Sequence, residues 1–455
     1  MEEIMKRITF IFFILLLGGP LLGVEWKKYP YHEPGSSIIF PRDEGSHRAV
    51  ANLEWWYVIF HAKGKITGHD YSILVTHFNN TFRFFTITDL TEKTHESGTT
   101  RGKLETHSQH MDVNQYTRYG HDFFRVKKDT KGTLIPFEYE LETHYTDMYL
   151  KADLVALRPP MMVMKNGHFQ VGKSGKTYYY SLTRLKAQGI LTYHGITEPF
   201  EASAWIDHQW GPFFVSPIEI GKLFESYEWF CMQLDDGSDI MLINIYDRNF
   251  RLPQTSNYGA VEILDVNNLN QHTSDRKFKR QGYWQDPVSG HIMSMGWTLD
   301  VVDWDLSLNL EPDFYEQMVK MPLNGDFWEG SISVKGYHKG QYVTGRAFGE
   351  LIHRFQIPVV KITTLKKNYH LNEMIKLKFK IINPDEGNPL KFRIYSFDGN
   401  NQHLLKEINQ VEEVHIMASD LIAVAHKKSY QLKVEALSVD ESIVGVGLSQ
   451  NFKIE

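Results

Sequence analysis

The chain of 455 residues has a single cysteine, Cys231. No internal disulfide can form, and the ligands of a cysteine zinc finger or an iron–sulfur cluster are missing. Cys231 lies in the strand-like run 227–234, with no helix N-terminus to lower its pKa, so it reads as a small buried hydrophobe and not as a nucleophile. A basic stripe is also lacking. Lys and Arg total 49 against 55 Asp and Glu, interspersed to a net charge of -6, which excludes a nucleic-acid partner. There is no Gly-x-Ser-x-Gly elbow, no phosphate-cradling glycine loop, no dinucleotide fingerprint and no His-Glu-x-x-His helix. His107 and His110 have a chelating spacing only if helical, and their surroundings read as loop or strand. No metal and no cofactor is expected.

Long apolar runs are absent beyond the N-terminus. There Met5-Lys6-Arg7 precedes the apolar stretch 8–17, then Gly18, Gly19, Pro20 and Gly23. A basic start, a short apolar middle and a small-residue cleavage zone make 1–23 a secretory signal, with Met5 as the initiator because Glu2 and Glu3 spoil the basic start. The expected product is exported, periplasmic or secreted, with no transmembrane domain after cleavage; an uncleaved anchor is the alternative.

Aromatic residues make up 13% of the chain and favour strands and aromatic-lined interiors. Period-two patterns run through 53–60, 71–76, 82–88, 137–145, 178–185, 203–210, 226–234, 240–246, 296–302, 331–336 and 342–351. Turn signals such as Asn79-Asn80, Asp235-Asp236-Gly237 and His338-Lys339-Gly340 punctuate them, and no long stretch has helical period. An all-β protein follows. Beyond Pro358 tryptophan disappears and lysine-rich alternating runs take over, which suits a β-sandwich of immunoglobulin type without its cysteine pair. The 46–356 region needs two units. Glu54-Trp55-Trp56-Tyr57 and Tyr227-Glu228-Trp229-Phe230 echo one another at the start of each half. The expected domains are 46–213, 214–356 and 357–455.

The segment Ala204-Trp-Ile-Asp-His-Gln-Trp-Gly211 concentrates the chemistry. On a strand, Ala204, Ile206, His208 and Trp210 share one face, and Trp205, Asp207 and Gln209 the other. His208 therefore stands against an aromatic wall and cannot pair with Asp207. Its carboxylate partner must come from another strand, the candidates being Glu54, Asp235, Asp236 and Glu329. A hydrogen-bonded core histidine beside a turn-stabilising aspartate is the plainer reading of the same residues.

Five motifs in order resemble the AttH-like / carotenoid hydratase family of lipocalin-like proteins: Glu54-Trp55-Trp56-Tyr57; Tyr179-Tyr180-Ser181-Leu182-Thr183-Arg184-Leu185; Trp205 to Gly211; Leu234-Asp235-Asp236-Gly237; and Phe327-Trp328-Glu329-Gly330 with 345–351. The resemblance spans about 46–353 and implies two lipocalin-like (calycin-type) antiparallel β-barrels holding an apolar ligand. It implies a lipophilic, isoprenoid- or lipid-like substrate whose C=C bond is hydrated or isomerised by acid/base chemistry, a lyase of the hydratase type. His208, Asp207, Glu54 and Asp236 are the candidate catalytic residues. Trp55, Trp56, Trp205, Trp210, Arg184, Tyr180, Trp229 and Glu329 are the candidate ligand contacts. The sequence departs from the family pattern at Gln209, where Glu is usual, and at Thr183, where Pro is common; Asn244 falls where an acid would be wanted. Two other readings stand beside the enzyme: a non-catalytic carrier, and a cell-envelope interaction protein with the terminal sandwich docking a protein partner.

Overall fold

The computed structural model describes residues 26–455 except 174, 214–224, 248–251, 254, 322–324, 356–358, 383–390, 398–400, 412, 425–428 and 438–442. The expected signal at 1–23 lies outside the described residues. The regular structure of the described residues is almost entirely strand, as the alternation requires.

Two large antiparallel sheets carry the site. The first has 13 strands within 53–211 and curls into a near-closed barrel. Its two edges, Thr94–Arg101 and Lys103–Thr106, are consecutive in the chain and separated by Gly102 alone. A Cβ at Gly102 would lie 2.2 Å from the Tyr116 carbonyl oxygen, so only glycine lets the chain turn here. The second sheet has 10 strands within 226–351 and forms a half-barrel. In both, the first strand lies between the second and the last: Leu53–Gly64 pairs with Ile196–Gly211, and Ser226–Leu234 with Gln341–Leu351.

This repeated topology accounts for the sequence echo. Trp56 and Phe230 each point into their own barrel, while Trp55 and Trp229 point out of it, towards the other barrel. Three apolar cores result, one in each barrel and a third between them. Most of the between-barrel core is aromatic or long aliphatic, which favours a fixed docking of the two sheets.

Residues 359–454 form small sheets and a short helix, Ala418–Val424, around a fourth core. The four-stranded sheet is antiparallel, whereas Asn368–Tyr369 and Lys453–Ile454 pair in parallel. Phe355 connects this unit to the second barrel, with its ring 3.9 Å from that of Tyr283. Among the described residues no helix is long and apolar enough to cross a membrane.

Candidate functional site

The strand Ile196–Gly211 is shared by two environments, and its alternation divides the candidate residues between them. Ala204, Ile206, His208 and Trp210 face the interior of the first barrel, while Trp205 and Asp207 face the second barrel.

On the inner face, register sets the neighbours of His208: Tyr180 on one flanking strand and Trp56 on the other. The Trp56 ring stacks at 5.0 Å and the Tyr180 ring stands edge-on at 5.6 Å. The carboxylate partner is Glu54, whose Oε1 is 3.2 Å from His208 Nε2. His47 joins from the preceding loop. Its backbone N–H donates to the same oxygen at 2.8 Å, and its Nδ1 lies 3.1 Å away. Its ring stacks on Trp210 at 4.0 Å. Burial pushes the Glu54 carboxyl up, but the contacts with His208 and His47 outweigh it and leave the group at about 2. Burial lowers the pKa of His208 against the pull of Glu54. The inner cluster therefore holds an ionised carboxylate, tightly surrounded.

The outer face has the opposite electrostatics. Asp207 lies between Ser181 and Tyr57 in the register. Its Oδ1 accepts from Ser181 Oγ at 2.5 Å and from Trp205 Nε1 at 2.7 Å. No cation offsets its burial, which outweighs those hydrogen bonds and pushes the carboxyl up to about 7. Across from it, Glu350 accepts from the Tyr227 hydroxyl at 2.8 Å and pairs in register with Glu329. Two acids directly opposite on neighbouring strands repel when both are charged. Burial first, and then the neighbouring carboxylates, raise both of them.

Trp55, Tyr57, Tyr179, Asp207, Trp229 and Glu350 surround a slot between the barrels with about 20 Å³ open to water centres, room for one or two water molecules. Among the described residues, Trp229 Nε1 is buried there without an acceptor. Neutral carboxylic acids facing aromatic rings, with space for water, are a proton donor and acceptor set in a low-dielectric site.

The structure thus brings Asp207, Trp55, Trp229, Glu329 and Trp205 to the inter-barrel face, and His208, Glu54, Trp56, Tyr180 and Trp210 to the barrel interior. Two expected residues stand apart from both. Asp236 sits in a turn, 2.6 Å from His338 Nδ1. Arg184 binds Asp239 of the second barrel at 2.7 Å instead of lining the slot. A bulge between Leu182 and Leu185 breaks the alternation and turns Thr183 and Arg184 to the same side. Thr183, the departure from the family pattern, donates its hydroxyl to Asp239 at 2.8 Å. Asn244 faces away from the slot and accepts from Arg276 at 2.6 Å. His107 and His110 lie in a loop with their rings 3.9 Å apart.

Sequence reasoning passed over Glu350, Tyr57, Tyr179, Tyr227, His47 and Asp43. Glu350 lay within the last matched motif, but nothing local marked it out. The signal available was alternation from Phe348, which puts Glu350 on the face shared with Trp229. Cys231 is buried in the inter-barrel core, where desolvation pushes its thiol well up. A thiol reagent such as Ellman's is expected to titrate no thiol in the folded chain and one per chain after denaturation. Rapid labelling of the native protein would show that this interface opens.

The AttH-like family model matches residues 31–353. Among curated proteins none matches. A crystal structure described as an AttH from Nitrosomonas europaea is similar with a TM-score of 0.57 and 18% identity, over 71% of this chain and 99% of that one. The crystal structure of kievitone hydratase from Nectria haematococca is similar with a TM-score of 0.54 and 16% identity, over 72% of this chain and 98% of that one. With the family pattern covering both barrels, this chain belongs to the AttH-like family.

Proposed function

We propose that the protein is an exported hydratase-like enzyme that adds water to, or isomerises, a C=C bond of a lipophilic molecule in the slot between its barrels. One observation carries this reading. Asp207, a carboxyl raised to about 7, faces an aromatic-walled space with a second raised carboxyl, Glu350, across it. Alkene protonation needs an acid kept neutral by an apolar site. The fold shared with a solved hydratase supports the reading; the N-terminal segment supports export.

Neutral Asp207 gives its proton to one alkene carbon, and the π pair forms the C–H bond. The cation left on the other carbon faces the rings of Trp55, Trp229 and Tyr57, which stabilise it by cation–π attraction. Water attacks that carbon while ionised Glu350 takes its proton, and proton exchange between the acids restores the starting state. In isomerisation Glu350 removes a carbon-bound proton instead. Mutual repulsion favours one proton shared between the two acids near neutral pH. His208, on the far face of the strand, takes no step. The slot has room only for water as it stands, so a substrate enters with displacement of lining side chains.

The test uses lipophiles co-extracted with the full-length protein and incubated with it in D2O. Turnover by this route places one deuterium on carbon, seen by mass spectrometry. A ligand that binds and returns unlabelled and unchanged would identify a carrier.

A further inference from the structure

We propose that His47, Glu54 and His208 form a binding site for one divalent first-row transition cation of the Zn²⁺ class, inside the first barrel. One ligand atom each from His47, Glu54 and His208 lies within 4.8 Å of the other two. Two edges of this triangle are 3.1 and 3.2 Å. Tetrahedral coordination with bonds of about 2.0–2.1 Å requires edges of about 3.3 Å, so these two are already close. Two imidazoles and one carboxylate are a recognised zinc donor set.

A second observation concerns the groups behind the ligands. The other nitrogen of His47, Nε2, lies 3.4 Å from Asp43 Oδ1, the carboxylate–histidine arrangement that orients metal-bound imidazoles. Ser46 Oγ donates to Glu54 Oε2 at 3.1 Å, steadying the carboxylate.

The histidine tautomers provide a third. Without a cation, His208 must donate from Nε2 to Glu54, which leaves Nδ1 as an acceptor. That Nδ1 is fully buried and makes no hydrogen bond of full geometry, although the Asp43 backbone lies beside it. With a cation on Nε2 the ring proton moves to Nδ1, on the side of the Asp43 backbone. His47 is 18% exposed in its side chain and provides the approach from solvent.

A cation here would bind the loop at His47 to the strand at Glu54 and the strand at His208, fastening the N-terminal segment across the barrel. It lies on the opposite face of the Ile196–Gly211 strand from the acid slot, so the proposal stands or falls apart from the hydratase reading. The experiment strips the full-length chain with EDTA and titrates Co²⁺ and then Zn²⁺. One equivalent of Co²⁺ per chain is expected to give the visible bands of a low-symmetry four-coordinate site, quenched by one equivalent of Zn²⁺. Asp43→Asn should weaken Zn²⁺ binding about 10–100-fold. Glu54→Gln and His47→Ala should weaken it at least as much, with far-UV circular dichroism unchanged. His47→Ala guards against misfolding, because this loop residue is partly exposed. Absence of stoichiometric binding, or affinity unmoved by both His47→Ala and Glu54→Gln, would overturn the proposal and leave a hydrogen-bonded triad.

Discussion

Replacing Asp207 with Asn should lower kcat/KM for the alkene-bearing ligand by about 10²- to 10⁴-fold, the usual contribution of a positioned general acid. Asn keeps the shape and the contacts with Ser181 and Trp205 but cannot donate a proton to carbon. The wild-type profile of kcat/KM against pH should be bell-shaped and centred near 7, because one raised acid must be neutral while its neighbour is charged. Activity retained within threefold in the variant would remove Asp207 from the mechanism.

Asp207 also predicts a stability effect of definite sign. Its pKa rises on folding from 3.8 to about 7, so the folded state holds the proton more tightly. The group's favourable contribution is complete below about pH 4 and is lost as pH rises through 7. The difference is on the order of 4 kcal/mol, about three pKa units. Asp207→Asn should abolish this component, so the variant gains on the wild type between pH 4 and 8 in denaturant titrations. Parallel curves would show that burial does not raise this carboxyl.

The second large effect is expected at Asp239, which is fully buried and clamps the barrels together. Arg158 Nη1 reaches its Oδ2 at 2.6 Å, and Arg184 reaches its Oδ1 from Nη2 at 2.7 Å. Burial raises the Asp239 pKa even against these two cations, a measure of how strongly the site is desolvated. Asp239→Ala leaves Arg158, itself 6% exposed, without its carboxylate. Stranding a buried charge costs about 3–5 kcal/mol. The midpoint of chemical unfolding should fall accordingly, and Cys231 at the same interface should become reactive to Ellman's reagent. A loss below about 1 kcal/mol would mean that apolar packing alone holds the barrels. Arg184→Ala should cost less, since its side chain is partly exposed and Arg158 remains.

The motif segment was legible from its alternation. Period two alone separated His208 and Trp210 from Asp207, and the structure assigns those faces to two different cores. Elements with a clear apolar stripe were legible in the same way, such as 53–60 and 240–246, which fall within Leu53–Gly64 and Asp239–Tyr246. Thr94–Arg101 was not. It is a sheet edge with no large apolar side chain, so pairing and not pattern makes it a strand. The helix Ala418–Val424 is too short for a periodic signal.

By itself, then, the sequence determined the strand-rich class, the two faces of the motif strand and the need for a carboxylate from elsewhere. Family resemblance added the paired barrels. Tertiary structure alone decided which carboxylate serves which face. Glu54 reaches His208 across 154 positions because their strands are register partners, and Glu350 faces the Asp207 slot because a second barrel docks there. The acid character of Asp207 was equally invisible. A carboxyl's pKa follows its desolvation and its neighbours, and both exist only once distant strands have closed around it.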